Sequence, residues 1–272
     1  MLSCHVTLAP HSLVCGPVTR LNRTWETSRP TLGKFGILPN PSFLSPGRVY
    51  GILTGQLAIT ALVVTLFDRN PQWSRWMTKS GVIGPAIPTL SLLLSTLAWF
   101  TMSKSASARR KAPLKWNLLA LFTLGEAVSV GFITSFFKFH SVVKTMGITA
   151  FATAAVGLYT ILNKNPRYDL SQWGSSISSI GMVILSFGVI HLLELLGVLP
   201  HGFMPYSDFW YSAASACLFC AYLAYHTRLI VAGKYAKYQM SEKDYIFGAM
   251  TLYNDMISLF VYLLKMLGEE DH

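Results

Sequence analysis

The sequence predicts an all-α membrane protein, a bundle of seven transmembrane helices, and three observations carry that prediction. The 272 residues are 52% hydrophobic and only 12% charged, where soluble domains hold about 25% charged residues. Apolar runs of about 20 residues, the length that crosses roughly 30 Å of hydrocarbon, recur seven times. The last of them, from Tyr245 to Leu267, carries a single carboxylate, Asp255, near its middle. Thr251, Asp255, Ser258, Tyr262 and Lys265 follow one another at steps of four, three, four and three, so a helix gathers them on one stripe. A carboxylate at membrane depth costs about 2.5–3.5 kcal/mol on insertion scales and faces a protein interior or a water-filled cavity. Asp255 is therefore a candidate functional residue.

Residues 1–46 read as a disordered tail, with Pro10, Pro17, Pro30, Pro39, Pro41 and Pro46 among many Ser and Thr, and Glu26 as its one acidic residue. Arg20, Arg23 and Arg29 with so little acid also fit a mitochondrial transit peptide. Residues 47–268 form the membrane domain, with spans expected near 48–67, 81–102, 116–137, 142–162, 172–198, 209–232 and 245–267. Pro85 and Pro88 are expected to kink or end a turn at the start of the second, because proline lacks the N–H and crowds the preceding carbonyl. Residues 269–272 are a short acidic tail. With the N-terminus in the cytosol, inside segments hold sixteen Lys and Arg and outside segments five, namely Arg69, Arg75, Lys79, Lys138 and Lys144. That bias sets the orientation, and an odd number of crossings puts Glu269 to His272 outside.

Three further polar groups stand at membrane depth. Glu126, flanked by Thr123 and Ser129, lies about 16 Å into the third segment, and Asp255 about 15 Å into the seventh, at 1.5 Å per residue. In the sixth, Ser212, Ser215, Phe219, Tyr222 and His226 share one helical stripe. The short loop between the sixth and seventh segments favours an antiparallel pair, which lets His226 approach Asp255. The alternative is a carboxylate paired inside the bundle as structural glue. His191 and Glu194, one turn apart near the outer end of the fifth segment, read as an interfacial pair.

Several classes are set aside. The net charge of +10 is distributed over short segments between apolar runs, which topology explains better than nucleic acid does. Cys217 and Cys220 form a C-x-x-C inside an apolar helix and read as buried helix residues rather than a redox or metal pair. A zinc-dependent intramembrane hydrolase needs several ligands converging on the metal. The histidines, His5, His11, His140, His191, His201, His226 and His272, offer no closely spaced helical pair. No enzymatic activity and no bound cofactor are expected.

The run AYLAYHTRLIVAGKYAKYQMSEKDYIFGAMTLYNDMISLFVYLLKMLG at the end of the chain resembles the transmembrane Bax-inhibitor motif family, most closely its Lifeguard branch. VYGILTGQLAITALVVTLF resembles that family's first helix, LLALFTLGEAVSVGFITS its third, and RYDLSQWG its entry to the fifth. The resemblance covers roughly residues 48–268. It implies a seven-helix bundle of the Bax-inhibitor type in endomembranes (ER or Golgi), with the mitochondrial inner membrane as the alternative. It also implies a passive, pH-dependent Ca2+ leak and restraint of cell death. The expected partners are the lipid bilayer, Ca2+ and H+, and apoptosis regulators or other membrane channels.

In that family two intramembrane aspartates, in the sixth and seventh helices, form a proton-sensitive latch. Asp255 matches the seventh-helix member. The sixth-helix member belongs to a Y-D-T-Q run, where this chain has Tyr225, His226, Thr227 and Arg228, and its second segment contains no arginine to act as the family's basic partner. The substitution changes the physics. Two adjacent carboxylates resist double ionisation and share a proton, whereas a histidine facing a carboxylate favours the charged pair. Histidine nitrogen also weakens any direct Ca2+ contact at Asp255, since Ca2+ prefers oxygen ligands. The expectation is an ion pathway and pH latch formed by Asp255, His226 and Glu126, supported by Thr251, Ser258 and Tyr222. A non-conducting protein that binds death regulators or other channels is the alternative.

Overall fold

The computed structural model describes residues 46–81, 83–162, 174–195, 207–232, 234–235, 238–239 and 244–270. Residues 1–45, residues 167–173 of the RYDLSQWG entry and the side chains of His191 and Glu194 lie outside the described residues. The described chain runs α1 (Pro46–Arg69), α2 (Pro71–Lys79), α3 (Ile83–Lys104), α4 (Ala106–Arg110), α5 (Ala112–Thr134), α6 (Phe139–Leu162), α7 (Gly174–Leu195) and α8 (Ser207–Ala232). A two-residue antiparallel ladder, β1 (Lys234–Tyr235) with β2 (Tyr238–Gln239), then leads to α9 (Tyr245–Leu267).

Seven of these helices are 22 to 26 residues long. Five, namely α1, α3, α5, α6 and α9, are both long and apolar enough to cross a membrane. The expected count of seven is thus met in helix length and falls to five once apolarity is required of the described residues. α7 contributes an apolar stretch of Ser176–Gly188, and α8 is diluted by Ser212, Ser215, His226 and Arg228.

Two short helices escape the reading of apolar periodicity. α2 starts with Pro71 in its first turn after Asn70, where the missing N–H costs nothing. α4 is capped by Ser105, whose Oγ accepts from Ala108 N at 3.3 Å. α3 continues through Pro88, so neither early proline ends it, and Ser129 Oγ of α5 donates to the Pro88 carbonyl at 3.2 Å.

α9 is the hub. In its apolar window 72% of residues are buried, against 22–28% in α1, α3 and α6, and it packs against α8, α1, α6 and α5. Lipid tails are as apolar as leucine, so van der Waals fit and interhelical hydrogen bonds, rather than the hydrophobic effect, hold a helix there. The fit depends on small residues at close crossings. A Cβ on Gly125 of α5 would stand 2.6 Å from the Ser91 carbonyl of α3, and one on Gly131 would stand 2.7 Å from the Phe67 ring of α1.

Several hydroxyls inside the spans are satisfied within their own helices, as suits a dry environment. Thr123, Thr149 and Thr251 each donate to the carbonyl four residues earlier at 2.8–2.9 Å.

Contacts at the helix ends sort the bundle into two faces. At one, the basic face, Arg109 of α4 approaches Asp244, which precedes α9, at 3.6 Å and lies over the Phe247 ring, while Lys115 donates to Tyr245 Oη at 3.3 Å. At the other, the chain after α9 docks on the α5–α6 connection. Lys138 N donates to the Glu269 carbonyl at 2.9 Å, Glu269 N donates to Ser141 Oγ at 3.3 Å, and Lys138 Nζ donates to Glu269 Oε2 at 3.0 Å. The ends of α5 and α9 therefore share a face.

Candidate functional site

Asp255 and His226 meet at the α8–α9 seam. His226 Nδ1 and Asp255 Oδ2 are 2.6 Å apart, with side chains 13% and 4% exposed, so the pair is nearly dry. The helices run antiparallel, fixed by this contact and by Tyr211 and Tyr262, whose hydroxyls are 3.3 Å apart. Aromatic rings confine the imidazole. Tyr222 stacks on it at 5.7 Å and 9°, and Tyr225 meets it edge-on at 5.3 Å. Further along, Phe219 stacks on Tyr262 at 5.7 Å and 17°. The sixth-segment stripe read from spacing is thus a row of rings leading to the carboxylate.

A feature absent from the sequence reading lies behind that row. Gly174, Gly181 and Gly188 recur every seven residues on α7. A Cβ added to them would stand 2.6 Å from Tyr225 Oη, 2.6 Å from Tyr222 Oη and 2.7 Å from Tyr211 Oη, respectively. Three tyrosines of α8 thus lie with their hydroxyl ends against α7 where a side chain is missing. The heptad of glycines was the available signal.

Glu126 belongs to a second cluster. Ser95 Oγ of α3 donates to Glu126 Oε1 at 2.7 Å. Nearby, Gln56 Nε2 of α1 donates to Thr123 Oγ1 at 2.9 Å, and Thr60 of α1 shares a 2.6 Å hydroxyl hydrogen bond with Tyr253 of α9. The Lys115–Tyr245 contact sets α5 against α9 at an offset of 130 residues, which makes Glu126 level with Met256. The two carboxylates share a depth, yet each bonds to a different neighbour, and among the described residues no hydrogen bond joins them. Ser95, Gln56, Thr60 and Tyr253 were missed because neutral polar residues in apolar runs give no charge signal.

The supporting residues divide as well. Tyr222 touches His226, Thr251 donates to its own helix at Phe247 O, and Ser258 is half-buried. Cys217 is exposed and Cys220 half-buried, which corrects the expectation that both are buried: the α8 stripe that packs inward is the aromatic one. Among the described residues no three His, Cys, Asp or Glu side chains gather as a metal site.

A family model described as Bax1-I, inhibitor of apoptosis-promoting Bax1, matches residues 42–272. The chain belongs to the Bax1-I family. Among Bax1-I relatives, Protein lifeguard 3 of Homo sapiens is 26% identical over 224 residues, covering 82% of this chain and 68% of that protein. Protein lifeguard 3 of Mus musculus is 25% identical with the same coverage. A BI1-like protein of Arabidopsis thaliana is 25% identical over 225 residues, 83% of this chain and 80% of its own length. The resemblance read from the sequence is that of a Bax1-I protein, and the apolar helices make this an integral membrane protein.

Proposed function

We propose that this Bax1-I protein crosses an endomembrane seven times, N-terminus in the cytosol, as a pH-modulated Ca2+ leak that contributes to Ca2+ homeostasis and restrains cell death. The observation that supports this reading is the buried His226–Asp255 contact at 2.6 Å. A buried histidine–carboxylate pair changes its charge balance whenever either partner gains or loses a proton, which couples packing at the α8–α9 seam to pH. Protonating the imidazole tightens the pair and protonating Asp255 releases it, so flux is lowest where both are charged. In a dicarboxylate latch the proton itself is the bond. The pH profile of this chain therefore differs from that of a dicarboxylate relative.

Ca2+ efflux from proteoliposomes between about pH 5 and 8 tests the reading. The natural chain is compared with Asp255→Asn, which loses the pH dependence, and with His226→Asp, which restores a dicarboxylate and moves the profile. Unchanged flux in Asp255→Asn across the whole range would sink the proposal.

One observation favours a second reading, a non-conducting protein that binds apoptosis regulators or other channels. Tyr222 and Tyr225 pack around His226 and leave the pair enclosed. Purified, folded protein that passes no Ca2+ in any variant decides for that reading.

A further inference from the structure

α1 and α6 flank a groove floored by α9. Toward the tail face it widens into a cavity of about 370 Å³, and toward the basic face it continues as a second of about 270 Å³. Thr153, Ala154 and Met256 line both, which makes them one channel. Together they exceed severalfold the ~150 Å³ apolar void that takes up a benzene.

The lining carries no charged side chain and few hydroxyls. Thr60 is bonded to Tyr253 and Thr149 to its own helix. Thr153 Oγ1 is shielded and without a hydrogen-bond partner, and Tyr50 and Thr227 lie toward one end. Scattered hydroxyls on an otherwise apolar wall suit an aliphatic chain rather than a polar occupant, which would leave its own groups unpaired. The channel reaches the outer surface of the bundle at Leu158, 60% exposed, and Met146, 38% exposed. Both sit on α6, a helix apolar enough to lie in hydrocarbon, where the surrounding medium is lipid.

From Tyr50 to Val64, the α1 residues that mark its two ends, the channel extends about 21 Å at 1.5 Å per residue. That is longer than the ~15 Å of hydrocarbon in one leaflet. Its end at the basic face is bordered by Tyr50 and Thr227. Arg228 follows Thr227 and donates to the Thr160 carbonyl of α6 at 3.5 Å. An apolar slot with a cation at one mouth matches an amphiphile with an anionic head and an extended chain.

We infer that the α1–α6 groove is a binding site for one acyl chain of an anionic phospholipid, whose phosphate lies at Arg228. Thr227 and Met256 of the lining adjoin His226 and Asp255 in the chain, but neither member of the pair lines the groove, and the inference does not depend on ion conduction.

Glycine positions supply clean variants. A Cβ on Gly157, which lines the channel, meets nothing within 4 Å, and the same holds for Gly147, ten residues away on α6 and outside the lining. Gly157→Leu therefore fills the groove without disturbing packing, and Gly147→Leu is its control. Ala154→Leu fills the same space from a second position. The full chain is purified from membranes of equal phosphatidylglycerol and phosphatidylcholine, and native mass spectrometry counts retained lipid.

One phospholipid per chain is expected to survive delipidation, with phosphatidylglycerol preferred by about fivefold for the one arginine engaged. Gly157→Leu and Ala154→Leu lose it, and Gly147→Leu keeps it. Arg228→Gln removes the preference while some phospholipid stays bound. Either groove variant decides by itself if the other fails to fold. Equal retention in a folded groove variant overturns the site, as does retention of detergent alone or of no lipid. Retention with no preference for phosphatidylglycerol in the natural chain overturns the assignment of an anionic head.

Discussion

The two carboxylates of the spans, Asp255 buried and Glu126 half-buried, sit at one depth and are held in different ways. Asp255 faces a titratable partner, His226, inside a cage of aromatic rings between α8 and α9. Glu126 receives a neutral hydroxyl from Ser95, beside a set of amide and hydroxyl bonds that tie α1, α5 and α9 together. One site changes its charge balance with pH through either partner; the other changes only if the glutamate itself takes a proton. Depth and residue type are thus poor guides to role, and the identity of the neighbour decides.

The sharpest break in this comparison comes from removing the partner on each side. His226→Ala leaves Asp255 buried opposite nothing, and loss of one member of a buried ion pair costs about 3–5 kcal/mol. Ser95→Ala removes an interhelical hydrogen bond, which in membranes averages about 0.6 kcal/mol. Thermal unfolding of both variants in one detergent gives the ratio. A His226→Ala protein as stable as Ser95→Ala would mean that the pair carries no charge.

Next come the close crossings. Gly125→Ala drives a methyl into the Ser91 backbone carbonyl, which cannot rotate away, and is expected to cost about 1–3 kcal/mol as overpacking. Gly181→Ala meets only the hydroxyl end of Tyr222. Removal of that oxygen in Gly181→Ala/Tyr222→Phe is expected to recover most of the loss, with a coupling of about 0.5–3 kcal/mol in a double-mutant cycle. Additive effects would show that the tyrosine side chain already yields.

A smaller effect is expected at Tyr253→Phe, which deletes the bond to Thr60 for about 0.6 kcal/mol and leaves the pH profile of Ca2+ flux unmoved. A shifted profile would join the two clusters into one.

The smallest effect lies outside the bundle. The hydrogen bond from Lys138, and then its charge, hold the Glu269 carboxyl below its ordinary range. A depressed carboxylate favours the docked tail above its ordinary titration range, and that preference is lost as pH falls through the lowered value. The protection factor at the amide of Glu269, with exchange corrected for its intrinsic pH dependence, should therefore fall in acid, and Glu269→Gln should remove the step without altering flux.

Much of this was legible from hydrophobicity alone. The long helices fall within a few residues of the expected segments because each apolar run must bond its backbone internally, and stripe spacing brought His226 to Asp255. α2 and α4 were missed because short helices of mixed polarity lack a sustained apolar period. The Glu126 cluster was half visible: the charge was seen and its serine donor was not. Arg109 was counted as a topological cation, although it approaches Asp244 at the entry to α9. Spacing within one helix cannot reveal such pairings between distant segments.

The tyrosine hydroxyls against Gly174, Gly181 and Gly188 have a mechanical consequence. The glycines repeat at about 10.5 Å along α7, so a smaller slide would bring larger side chains against the hydroxyl ends. A slide of α7 along α8 is therefore opposed at three points along the same helix that carries His226, and the seam between α7 and α8 is keyed against sliding.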